Sequence, residues 1–142
     1  MELTNPSQIR ALLERHGFHF SKSMGQNFLI ASWVPERMAE VCELDGETGV
    51  LEVGPGVGCL TARLAQAAGK VVAIELDKSL KPVLQETLAG CDNVEIVFGD
   101  AMKQDLCKLI SDRMKGRRPV VCANLPYNMT SPLLAKFIDT QC

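Results

Sequence analysis

Apolar residues in this chain come in short runs that stop at glycine or at a polar residue, and the stretches between them carry apolar residues at helical spacing. The clearest run, Val50-Leu51-Glu52-Val53, halts at Gly54-Pro55-Gly56-Val57-Gly58 and gives way to helix-forming residues through Leu64 and Ala68. That is the pattern of a buried strand, a tight turn and the start of a helix. A second run, Val71-Val72-Ala73-Ile74, ends on Glu75, and a third, Val94-Glu95-Ile96-Val97-Phe98, is closed by Gly99-Asp100-Ala101-Met102. The basic turn Gly116-Arg117-Arg118 leads into a fourth, Pro119-Val120-Val121-Cys122-Ala123, which is followed by Asn124-Leu125-Pro126-Tyr127-Asn128. Between the runs, Lys78 to Leu88 (with Pro82 early) and the segment holding Leu106, Leu109 and Ile110 read as helices, and Ser131-Pro132 opens another with Leu133, Leu134 and Phe137. Strand and helix alternate, which predicts an α/β fold: a parallel sheet with helices on both faces, joined by right-handed crossovers.

Ahead of the first strand, Asn5-Pro6-Ser7 reads as a helix start capped by Asn or Thr, with Ile9, Leu12 and Leu13 on one face and Gly17 at the end. Arg10, Arg15 and His16 lie on or near the opposite side. The loop from Phe18 to Leu29 ends in Gly25-Gln26-Asn27-Phe28-Leu29, an apolar finish that suits a lid folding over a ligand. Ser32 is placed to cap a second helix, with Pro35 in its first turn, Val34, Met38 and Val41 as its buried stripe, and Trp33 packing. The chain divides into N-terminal helices and lid over 1–48 and a core over 49–142. The last helix runs into Cys142 without a stop signal, so the core is expected to continue beyond it and the fold to be truncated here.

Composition narrows the function. At 142 residues, 46% hydrophobic and 23% charged, the chain suits one modest globular domain. No apolar run has membrane-spanning length, and the N-terminus lacks the basic and apolar segments of a signal peptide, so a cytoplasmic protein is expected. A formal charge of −2 argues against the whole chain being an electrostatic nucleic-acid binder but leaves room for a local basic patch. The six cysteines are scattered with no Cys-x-x-Cys, and neither His16 nor His19 has metal-ligand spacing, so reduced thiols and no metal are expected.

The chemistry lies at the strand ends. In an open parallel sheet, ligands sit beyond the carboxyl ends of the strands. There the glycine turn, Glu75, Asp100 and Asn124 fall on one edge. Taken singly, each is most often a turn former or helix cap; four on successive strands point to a site. Glycines let the backbone approach a ligand closely, and an acid ending the second strand suits ribose hydroxyls. The spacing is Gly-x-Gly-x-Gly, with Cys59 where a dinucleotide fingerprint has its third glycine. S-adenosylmethionine, with a ribose and no phosphate, fits that departure. Asp100 can accept from an adenine amine. The Asn124 side-chain carbonyl and the Leu125 main-chain carbonyl can each accept a hydrogen of a target amine, localising its lone pair. Pro126 stiffens the turn, and Tyr127 can stack on a base, a contact worth about 1–3 kcal/mol.

Together these residues resemble the ribosomal RNA adenine N6-dimethyltransferase family, from about Gln8 to the end. Gly25-Gln26-Asn27-Phe28-Leu29 is similar to its N-terminal cofactor motif, and Glu52-Val53-Gly54-Pro55-Gly56-Val57-Gly58 with Leu60-Thr61 to its glycine loop. Glu75-Leu76-Asp77, Gly99-Asp100-Ala101 and Asn124-Leu125-Pro126-Tyr127-Asn128 resemble the remaining motifs. The resemblance implies a Rossmann-like methyltransferase that takes S-adenosylmethionine and dimethylates two adjacent adenosines near the 3′ end of small-subunit ribosomal RNA. By position, Asn27, Leu29, Gly54, Gly56, Glu75, Leu76, Asp100, Ala101 and Asn124 would line the cofactor site. Asn124, Leu125, Pro126 and Tyr127 would hold the target adenine during in-line methyl transfer. The implied partner is the immature small ribosomal subunit, met by a monomer. Family members are about twice this length, with a helical C-terminal RNA-binding domain. Three alternatives stay open: a large-subunit methylase of the antibiotic-resistance type, a non-catalytic ribosome-assembly factor, and a nicotinamide oxidoreductase.

Overall fold

The computed structural model describes residues 5–18 and 33–123, without the side chains of Pro6 and of 33–35. Its helices are α1 (Pro6–Arg15), α2 (Trp33–Val41), α3 (Cys59–Ala67), α4 (Lys81–Thr87) and α5 (Leu106–Arg113); its strands are β1 (Thr48–Val53), β2 (Lys70–Glu75), β3 (Val94–Phe98) and β4 (Arg118–Ala123). All strand pairs are parallel, in the order β3-β2-β1-β4. The order has a direct consequence. Two crossovers, through α3 and α4, step from β1 outward to β3; the next, through α5, returns across the sheet to the far side of β1. With crossovers of one hand, that reversal places α5 on the opposite face from α3 and α4. Two apolar clusters follow the same division. Val50, Val71 and Cys122 pack with Ile9, Leu12 and Leu13 of α1, Leu60 and Leu64 of α3, and Val83 and Leu84 of α4. Leu51, Val53, Val72 and Ile74 pack with Leu106 of α5 and with Met114. The expected α/β fold with helices on both faces is observed.

Local signals work as the residue types require. The Asn5 side chain accepts from Ser7 N at 2.9 Å to cap α1, and Gly17 (φ 83°) ends it. Arg15 then fixes α1 to α4 through a two-pronged pair with Glu86 (2.9 and 2.8 Å), with His16 Nε2 at 3.2 Å from the same carboxylate. The expected basic turn is spent on structure. Arg117 donates to Gly46 O, and Arg118 donates to Cys42 O, Glu43 O and Thr48 Oγ1, tying the start of β4 to the turns before β1.

One expected element is corrected. Val41 does not complete a buried stripe on α2; it is 65% exposed. The helix ends at Val41, and the chain reverses through Glu43 (φ 52°), with Leu44 N bonded to Ala39 O at 3.0 Å. This reversal folds Leu44 back onto the first cluster beside Met38, so Leu44 takes the apolar position that periodicity assigns to Val41. The side chains of Trp33 and Val34, together with Ser32, lie outside the described residues.

Candidate functional site

The reversal of strand order between β1 and β4 makes a crevice beyond their carboxyl ends, the place where open α/β sheets bind ligands. Strand register puts the expected residues there. Val53 is paired with Ile74 on one side and with Ala123 on the other, and Glu75 is paired with Phe98. The chain therefore leaves β1 at Gly54, β2 at Leu76 and β3 at Gly99, and β4 ends at Ala123, all along one rim.

The glycine turn is built as its sequence demands. Gly54, Gly56 and Gly58 have φ of 74°, 59° and 91°, a region where a side chain is strained. Gly58 is doubly constrained, since a Cβ there would lie 2.8 Å from Thr87 Oγ1. It is also the N-cap of α3 and supplies no side-chain cap; the amides of Cys59 and Leu60 donate to the Cys59 thiol instead, and Ala62 N bonds Gly58 O at 2.9 Å. Cys59, in contrast, is packed in the first cluster. Burial first, and the neighbouring Glu52 next, push its thiol up to about 11, so it is inert at neutral pH despite its place at a helix start.

Glu75 closes over this turn. Its Oε1 accepts from Gly56 N at 3.0 Å and its Oε2 from Asp77 N at 2.9 Å. The carboxyl is 7% exposed, and burial raises its pKa against the lowering by those amides. Each carboxylate oxygen still has a second lone pair for a donor. Beside it Leu76 is exposed, offering an apolar surface at the rim. Asp100 Oδ1 accepts from Met102 N at 2.9 Å and caps the short helical turn Ala101–Lys103, while Ala101 is buried in the second cluster. The structure thus brings Gly54, Gly56, Glu75, Leu76, Asp100 and Ala101 to one rim. Asn27, Leu29, Asn124, Leu125, Pro126 and Tyr127 lie outside the described residues.

Residue-type reasoning passed over Glu52, which entered only as part of a motif. It lies on β1 directly beneath the turn, 1% exposed, and its Oε1 accepts from Thr61 Oγ1 of α3 at 2.5 Å. Burial raises its carboxyl to about 7, against the lowering by Thr61 and with a further push from Glu75. The signal was present in the sequence: a lone acid inside the apolar run Val50-Leu51-Glu52-Val53, with a hydroxyl near the start of the following helix.

Chemically, the rim presents close-approach backbone, a buried carboxyl at the turn and an exposed aliphatic side chain. The buried Glu75 carboxyl at the turn makes a pyrophosphate unwelcome and a cationic or neutral nucleoside welcome.

Known proteins agree with this geometry. The family model for ribosomal RNA adenine dimethylase matches residues 17–142. A ribosomal RNA small subunit methyltransferase A from Alkaliphilus metalliredigens is 43% identical over 97% of this chain and 48% of its own length. Its counterpart from a Geobacillus strain is 42% identical over 96% of this chain and 47% of its own length. The chain therefore spans about half the length of the curated relatives it matches. Among solved structures, the 23S rRNA methyltransferase ErmE superposes with a TM-score of 0.59 at 31% identity, covering 75% of this chain and 40% of that one. A dimethyladenosine transferase from Plasmodium falciparum superposes at 0.59 and 27% identity, covering 77% of this chain and 37% of that one. An RNA methyltransferase from Salinibacter ruber, solved with S-adenosyl-L-homocysteine, shares the fold at 0.63 and 24% identity, covering 78% of this chain and 69% of that one. With a parallel sheet that reverses at β1, a glycine turn at the reversal and a family match over most of its residues, the chain belongs to the ribosomal RNA adenine dimethylase family.

Proposed function

We propose that this chain is the cofactor-binding and catalytic part of a small-subunit ribosomal RNA adenine N6,N6-dimethyltransferase that uses S-adenosylmethionine. The observation that carries the reading is the Glu75 carboxylate bonded to the amide of Gly56 at the point where strand order reverses. The rim residues fit the cofactor: a ribose needs an acceptor at the β2 tip, an adenine needs an acceptor and an apolar surface, and neither needs a phosphate cradle. Glu75 would take the ribose hydroxyls, Asp100 the adenine amine, and Leu76 and Ala101 the adenine face. Gly54 and Gly56 allow close approach of the backbone. Asn27, Leu29 and Asn124 join this set by their place in the family motifs. The bound cofactor supplies a methyl group already activated on a sulfonium.

The chain's own task is then alignment, which can supply several kcal/mol of barrier reduction. Asn124 and the Leu125 carbonyl hold the target amine by its two hydrogens, Pro126 keeps that turn rigid, and Tyr127 replaces the stacking lost when the adenine leaves its neighbours. The small-subunit substrate is favoured over a large-subunit one because the small-subunit relatives reach 43% identity, against 31% for ErmE. The working protein is a cytoplasmic monomer acting on immature small subunits, at two adjacent adenosines near the 3′ end of the RNA.

Transfer of labelled methyl to small subunits lacking the modification tests this. Asn124→Ala should abolish transfer while calorimetry shows a far smaller loss of cofactor affinity. Glu75→Ala should weaken cofactor binding by about tenfold or more, the worth of hydrogen bonds to a charged acceptor. Unchanged affinity in Glu75→Ala, or equal loss of affinity and rate in Asn124→Ala, would overturn these roles.

A further inference from the structure

Two glutamates are buried among the described residues, and only Glu75 reaches the rim. Glu52 sits one layer below it. Strand alternation and the pairing of Glu52 with Ala73 put Glu52 and Glu75 on the same face of the sheet, the face that carries α3. Glu52 Oε1 is held by Thr61, whereas Oε2 is buried with no hydrogen-bond partner among the described residues. The titratable groups facing it are Glu75 from β2, Cys59 from α3 and Cys122 from β4, with Cys42 beyond Cys122. None of these is a cation. Among the described residues, a buried carboxylate with one unpartnered oxygen and only acidic neighbours lacks the counter-charge it needs to ionise.

We propose that Glu52 keeps its proton in the free protein and releases it to solvent when a net-cationic nucleoside seats on the glycine turn. This rests on the cofactor assigned above. S-adenosylmethionine carries a net positive charge, from its sulfonium, that S-adenosylhomocysteine lacks. The site therefore exchanges a proton for the charge of the methyl donor and takes a proton back once the neutral thioether remains. Glu52 thereby favours the donor over the spent product without forming any bond that both would share, a discrimination that Glu75 and Asp100 cannot make through ribose and adenine. The raised carboxyl, at about 7 in the free protein, has the sign this exchange requires. A cation lowers it, so donor affinity is full above that pH and falls below it.

Calorimetric titration of the full chain with each nucleoside, at about pH 6 and pH 8 and in two buffers of different ionisation enthalpy, reads both affinity and protons exchanged. For the wild type, S-adenosylmethionine should bind about tenfold more weakly at the lower pH, with proton release, because one unit below the midpoint is a factor of ten. S-adenosylhomocysteine should change less than about threefold. Glu52→Gln should abolish the proton release and flatten the pH dependence. Thr61→Val removes the hydrogen bond that favours the ionised form, so it should move the midpoint to higher pH; it also keeps the test open if Glu52→Gln misfolds. Equal pH dependence for the two nucleosides, proton release persisting in Glu52→Gln, or an unmoved midpoint in Thr61→Val overturns the proposal while leaving the functional reading intact. Failure of the wild type to bind S-adenosylmethionine at either pH overturns that reading itself.

Discussion

β1 and β4 are adjacent parallel strands of the same length, with runs of similar apolar content, yet they live in different surroundings. Leu51 and Val121 are partners in the register and face the same side, but Leu51 is 1% exposed and Val121 is 43% exposed. Glu52 and its partner Cys122 are both buried on the opposite side, under α3 and α1. The difference is one of cover. On the Leu51 face, α5 reaches the central strands through Leu106, Leu109 and Ile110, and among the described residues nothing comparable covers the outer half of β4. On the Glu52 face, α1, α3 and α4 give a broad layer. Position in the sheet therefore decides how much a given apolar residue contributes, and it decides which strand end is held rigidly enough to place chemistry.

That contrast can be broken by substitution. Leu51→Ala opens a cavity in a fully covered site and should cost about 2–5 kcal/mol in urea unfolding. A loss no greater than that of Val121→Ala would mean that both strands are equally covered. Next in size is Glu52→Gln. The Glu52 carboxyl ionises near its ordinary 4.5 when unfolded and near 7 when folded. The native state thus holds the proton more tightly, and the stability conferred by the neutral form is present below 4.5 and is lost as pH rises through 7. Wild type should fall relative to Glu52→Gln across that window by about 1.4 kcal/mol per pH unit. Parallel pH profiles would show that Glu52 finds a counter-charge in the folded chain.

Val121→Ala comes third, and should cost less than about 1 kcal/mol, since half-exposed methyls are only partly removed from water. A cost comparable to that of Leu51→Ala would show the β4 face covered in solution. Smallest is Glu86→Ala, which cuts the link from α1 to α4 at an accessible ion pair. A slight drop in melting temperature, vanishing in concentrated salt, is the expected result; a salt-insensitive drop would point to packing rather than charge.

Much of this could be read along the chain. The four strands, the Asn5 cap, the break at Gly17 and the turns at Gly54, Gly56 and Gly58 are local events, set by side-chain period, by capping groups and by φ values that disfavour a Cβ. Polar strand ends gathered at one rim were also legible, because parallel strands joined by crossovers must all end on the same side. The exposure of Val41 was not, because a reversal at the end of α2 substitutes Leu44 for it and periodicity has no view of the residue that folds back.

By itself, then, the sequence determined the elements, their direction and the residue types delivered to the rim, since these depend on neighbours a few positions away. Only the tertiary structure decided the order β3-β2-β1-β4, and with it the burial of β1, the bond from Glu75 to the glycine turn and the isolation of Glu52. Those depend on which strands lie side by side and what covers them. The ionisation of a carboxyl follows the charges and the water around it, and residues distant in sequence set both.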